Sequence, residues 1–92
     1  MPNFYFTYGL EGQPYVGGWT EINAPNIDAA CAIFRSFHPD KIDGLLNCAF
    51  YYTEERWKKT KMYEKGHNFH ATCHERIIVT RQEFPMEERH DD

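Results

Sequence analysis

The sequence predicts one small α+β domain: a mostly antiparallel sheet in the order β-β-α-β-α-β, covered on one face by one main amphipathic helix. Three observations predict it. Short runs of aromatic and β-favouring residues stop repeatedly at Gly, Pro, Asn or Asp, as the strands of a small sheet do. One stretch, Ile27 to Phe37, carries apolar residues at helical spacing. The chain has 92 residues, enough for one core and no second.

Each element follows from its residues. Asn3 to Tyr8 is a first strand, with Phe4, Phe6 and Tyr8 on one face, and Gly9 ends it. Leu10 to Pro14 reads as a hairpin connection, and Tyr15 to Ile22 as a second strand. Gly17-Gly18 inside that strand marks a bulge, or a point where something approaches the backbone closely. Ala24-Pro25-Asn26-Ile27-Asp28 starts a helix: Pro25 suits its entry, Asn26 can cap it, and Asp28 favours the positive end of its dipole. Ile27, Ala30, Cys31, Phe34 and Phe37 form its apolar face, and His38-Pro39 closes it, because the residue before Pro is pushed out of the α region.

Asp43-Gly44 signals a turn, and Leu45 to Tyr52 reads as a short, apolar central strand. Thr53 caps a second helix, with Glu54 and Glu55 in its first turn, Lys58, Lys59 and Lys61 towards its end, and Trp57 as its anchor. Gly66 breaks that pattern. His67 to Glu75 is polar and irregular, and Arg76 to Thr80 is a last strand. Residues 1–83 form the compact domain, and 84–92 an acidic, mobile tail.

Composition excludes some functions. Aromatics are 16% of the chain, and the net charge is −4, much of it in the tail FPMEERHDD. A chain without a basic field is not built for duplex DNA, whose binding draws on several Lys or Arg contacts to phosphate. The densest local basic spot is Lys58, Lys59, Lys61 and Lys65. Cys31, Cys48 and Cys73, an odd number at unrelated spacings, suit reduced thiols in a cytosol. No apolar run is long enough to span a membrane, and the N-terminus lacks a signal peptide's layout, so a cytoplasmic protein is expected.

Three constellations bear on chemistry. His67, His70, Cys73 and His74 are metal-ligand types, but adjacent Cys73 and His74 rarely reach one ion, and only Cys48 or His38 would complete a set from afar. Surface histidines around a half-buried thiol is the plainer reading. Cys48 or Cys73 as nucleophile, with His38 or His74 as base and Asn47 as orienter, supplies residue types without geometry. Gly9, Gly12, Gly17 and Gly18 make no phosphate loop, and no resident cofactor or metal is expected. The third constellation is aromatic. Some of Tyr5, Tyr15, Tyr51 and Tyr52 must point away from the helix-covered face, where they either pair across strands or offer a recognition surface.

The segments FYFTYG, YVGGWTEINAP, FHPDK, GLLNCAFYYTEERWKKTKMY and HATCHERI, spread over residues 3–78, resemble a recurring kind of short protein of phages and prophages of Gram-positive bacteria. The resemblance implies a setting and no set activity. By analogy with small phage accessory proteins, it implies a non-enzymatic antagonist of bacterial immunity.

Two mechanisms fit that setting. In the first, a homo-oligomer sequesters a small signalling nucleotide at a subunit interface. Stacking would come from Trp19, Tyr51 or Tyr52, phosphate contacts from Arg76, Lys41 or the Gly17-Gly18 main chain, and hydrogen bonds from His38 and His74. In the second, an anti-CRISPR-like inhibitor binds a defence protein, with Glu54, Glu55, Glu64 and the acidic tail mimicking phosphates. A zinc-binding or thiol enzyme is the third reading.

Overall fold

The computed structural model describes residues 1–9, 11–64, 68 and 72–78. It has the expected order: β1 (Asn3–Thr7), β2 (Trp19–Asn23), α1 (Ile27–Phe37), β3 (Phe50–Thr53), α2 (Glu54–Thr60) and β4 (Cys73–Ile78). They form a small α+β fold in which the four strands among the described residues lie in the order β3-β1-β2-β4. β1 pairs antiparallel with β2 and β3, while β2 pairs parallel with β4. No helix among the described residues is long and apolar enough to cross a membrane.

Strand alternation divides the core in two. Phe4, Phe6, Tyr8 and Ile22 point to one face, where α1 brings Ala30 and Phe34 down upon them. The Phe6 and Phe34 rings stack at 4.6 Å. Tyr5 and Trp19 point to the opposite face, which α2 covers through Trp57, stacked on Tyr5 at 4.8 Å. A helix of 7 residues does not persist by itself in water. Burying one Trp side chain offsets this by roughly 4–6 kcal/mol of transfer free energy, so Trp57 is the anchor its position predicted.

The helix ends also follow the sequence. The Asn26 side chain accepts from the Ala29 N–H at 2.8 Å, and the His38 N–H closes α1 on the Phe34 carbonyl at 2.8 Å. The Thr53 hydroxyl accepts from the Arg56 N–H and opens α2. Phe37, expected on the apolar face of α1, is exposed; His38 takes the place above the sheet, its ring 5.2 Å from that of Phe34.

Three strands differ from expectation. β2 begins at Trp19, because Gly17 and Gly18 both have positive φ and bend the chain ahead of it. The run Leu45–Tyr52 is no central strand: Leu45 turns back onto Ile42, Cys48 onto Leu46, and only Phe50–Thr53 pairs, at the sheet's edge. Its apolar residues instead pack from a loop, Leu46 and Cys48 against the α1-side core. β4 begins at Cys73, inside the segment read as irregular, and runs parallel to β2. The expected acidic tail, 84–92, lies outside the described residues, as do His67 and His70.

Gly18 explains the paired glycines as a close approach. Its φ is 71°, and a Cβ there would collide with the Thr72 carbonyl and the His74 ring. Gly18→Ala is therefore expected to destabilise the fold by at least about 2 kcal/mol, measured by urea denaturation. Gly12→Ala, at a positive φ in open space, should cost less.

Candidate functional site

A polar network lies on the α1 face where β2, β4 and the end of α1 meet. It depends on an irregularity in β4. Trp19 pairs with Cys73 but Thr20 with Glu75, so His74 is the extra residue of a bulge. Consecutive residues His74 and Glu75 thereby face the same side. Glu75 Oε1 accepts from the Thr20 hydroxyl at 2.7 Å and from His38 Nε2 at 2.8 Å. Because Thr20 gives its proton to the carboxylate, the Tyr8 hydroxyl donates to Thr20 Oγ1. His74 Nε2 donates to the Gly17 carbonyl at 3.0 Å, and its ring lies 4.2 Å from Tyr15, nearly parallel.

The electrostatics follow this geometry. Partial burial pushes the Glu75 carboxyl up, but hydrogen bonds from His38 and Thr20 and the charge of His38 outweigh it and hold the group below its ordinary range. Burial pushes the Tyr8 hydroxyl well up, so it remains a donor at any ordinary pH. Burial also raises all three thiols, Cys48 to about 12. None has the depressed value that a reactive cysteine needs. Among the described residues no three His, Cys, Asp or Glu side chains are grouped to hold a metal ion.

Four of the expected ligand residues, Gly17, Gly18, His38 and His74, are thus brought together, but the glycine N–H groups and the Nε2 of each histidine are engaged by neighbours within the chain. This corner is a clamp. Trp19 is enclosed beside Trp57 on the other face, its ring unavailable for stacking. Arg76 is exposed on Glu21 at 3.2 Å, away from the clamp. Lys41 donates to the Gly12 carbonyl beside a groove of about 210 Å³.

Open surface lies around β3. A groove of about 520 Å³ runs between α1 and residues 44–51, lined by Cys31, Arg35, Leu46, Phe50 and Tyr51. It is mostly apolar, and its cation is committed: Arg35 Nε reaches both Asp40 oxygens, at 3.0 and 3.1 Å. On the α2 side a notch of about 310 Å³ is lined by Tyr52, Arg56, Lys59 and Thr60. Among the described residues neither Arg56 nor Lys59 has an acidic partner, whereas Lys58 pairs with Glu54 at 3.8 Å. Phe50, half-exposed and at the border of the larger groove, sets its ring 4.9 Å from that of Tyr52.

The sequence singles out Tyr51 and Tyr52 but not Arg56, Glu75 or Thr20, and Tyr15, expected among the outward tyrosines, instead stacks on His74 beside the α1-side core. The signal for Arg56 was present: a helix capped at Thr53 puts residues 56 and 59 on one face, beside Tyr52. No local signal points to Glu75, since its role depends on a bulge. Compared with known proteins, the chain matches no family model, no curated protein and no solved structure.

Glu75 stabilises the fold when ionised. A carboxyl held below its unfolded value contributes fully above that value and loses the contribution as pH falls through the folded one. Glu75→Gln is expected to cost about 1–3 kcal/mol at pH 7 and to flatten the decline of stability between pH 5 and 3. Urea melts across that range measure both.

Proposed function

We propose that this chain is a non-enzymatic phage accessory protein that binds and sequesters a small signalling nucleotide at an interface between subunits, in the cytoplasm of the infected bacterium, and so antagonises its immunity. The observation that carries the reading is the notch of Tyr52, Arg56 and Lys59 beside Phe50. In a chain of net charge −4 it offers two cations that have no acidic partner among the described residues, and the aromatic ring of Tyr52. Those are the two things a nucleotide presents: phosphate and a flat ring.

Magnitudes favour a shared site. Two charge-assisted contacts at about 2 kcal/mol each and one stacked base at about 1–3 kcal/mol barely exceed the cost of association, about 4 kcal/mol or more. The surplus, at most about 3 kcal/mol, means that one notch alone would hold a nucleotide at roughly 10 mM or weaker. Two notches on one ligand double the contacts while the ligand's loss of freedom is counted once.

The alternative, an acidic mimic that occupies a defence nuclease, draws less support from α2. Glu54 is paired with Lys58, and Glu55 is flanked by Glu54 and the cationic Arg56. The phage setting rests on the resemblance of residues 3–78.

Titration calorimetry with cyclic di- and trinucleotides and ADP-ribose derivatives tests the proposal. Binding of at least one is expected, weakened about 30-fold or more in an Arg56→Ala, Lys59→Ala double variant. Lack of affinity for all of them overturns it.

A further inference from the structure

β3 is an edge strand whose shortness, four residues, is its one evident protection among the described residues. Its residues, Phe50, Tyr51, Tyr52 and Thr53, include neither a charged side chain nor Pro, and no described strand pairs with its outer side. Edges of this composition are templates for pairing with another strand.

The occupant that best fits this edge is a second β3. Antiparallel strands related by a two-fold axis keep their faces only if the axis is perpendicular to the sheet, so each residue must sit opposite one of the same parity. With the axis at Tyr51, Tyr51 meets the second copy's Tyr51, Phe50 meets its Tyr52, and Tyr52 meets its Phe50. Every pair is aromatic, and no charge faces a like charge. Phe50 and Tyr52 share the α2 side, so the pairing lines up four aromatic rings there, flanked by Arg56 and Lys59 from each copy.

We infer that two copies pair antiparallel through β3 about Tyr51, and that their two notches become one site for a doubly anionic, two-fold-symmetric ligand of the cyclic dinucleotide class. This rests on the nucleotide reading above and adds stoichiometry and ligand symmetry to it. Four cations on one face of the joined sheet, two on either side of the axis, repel one another until anions lie between them, and a four-residue edge offers little else to hold the pair. Ligand and assembly are therefore linked: whatever binds the pair and not the single chain drives pairing.

Three measurements on the full chain test this. The first is disulfide cross-linking of Tyr51→Cys, with Glu55→Cys as control, since residue 55 lies off the strand in α2. Tyr51→Cys is expected to form a covalent dimer under mild oxidation, at least tenfold faster than Glu55→Cys, and faster still with cyclic di-AMP or cyclic di-GMP. The second is calorimetric stoichiometry, expected at one cyclic dinucleotide per two chains, with AMP at least a hundredfold weaker. The third is Tyr51→Lys, an exposed substitution on the α1 side that sets two cations together at the axis. It should keep its circular dichroism and lose both pairing and tight binding.

Cross-linking of Tyr51→Cys no faster than the control, with or without cyclic dinucleotide, overturns the inference. So does one ligand per chain with Tyr51→Lys binding as the parent does; the nucleotide reading would then survive without the dimer. Rapid Tyr51→Cys cross-linking with no nucleotide bound by any form would remove the nucleotide reading and the shared site, and leave only the strand pairing.

Discussion

One carboxylate joins three parts of this small fold. Glu75 belongs to β4, accepts from Thr20 of β2, and accepts from His38 at the end of α1. β2 and β4 are parallel, so no short hairpin can set their register. What sets it instead is side-chain chemistry at the strand entry, backed by the Trp19 N–H donating to the Thr72 carbonyl at 2.9 Å and the Gly18 N–H to the Asn68 carbonyl at 3.0 Å. The helix cap and the sheet edge are thus tied by one group. α1 is fixed over the sheet both by apolar packing of Phe34 and by a polar bond at its last turn.

The two faces of the sheet are used differently as a result. On the α1 side, polar groups near the clamp find partners within the chain, and no buried side-chain nitrogen or oxygen among the described residues is left without one. On the α2 side, Trp57 and Tyr5 seal the centre, but the short helix reaches the β3 edge with two cations that no described acid matches. A group already bonded to its neighbours must break those bonds to bind anything else, whereas Arg56 and Lys59 have no ion pair with a described residue to break. That difference, more than pocket size, places the candidate site at β3.

Much of the architecture was legible in the residues. The element order, the Asn26 and Thr53 caps, the stop at His38-Pro39 and the Trp57 anchor all rest on local chemistry, and local chemistry is what a sequence displays. What was not legible depends on distant partners. Leu45–Cys48 looks like a central strand by composition, but apolar content reports burial, and a loop folded against the core is buried too. The segment before Arg76 looks irregular because His74 and Glu75 break the alternation, and only pairing with β2 reveals one extra residue in an otherwise regular strand. The site was half visible for the same reason: Tyr51 and Tyr52 announce themselves by type, while Arg56 matters because of what it lacks nearby.

The parallel pairing of β2 with β4 also bears on how the chain reaches this state. The two strands are separated by the whole of α1, β3 and α2, so their union closes a long loop and raises the contact order of an otherwise local fold. As the chain leaves the ribosome, β1, β2 and α1 emerge together, yet β2 keeps an open edge until Cys73–Ile78 has been synthesised. In that interval Thr20 lacks its acceptor and His38 its carboxylate. The β2 edge is therefore covered only once β4 has been made, and until then it is open to pairing with a neighbouring nascent chain.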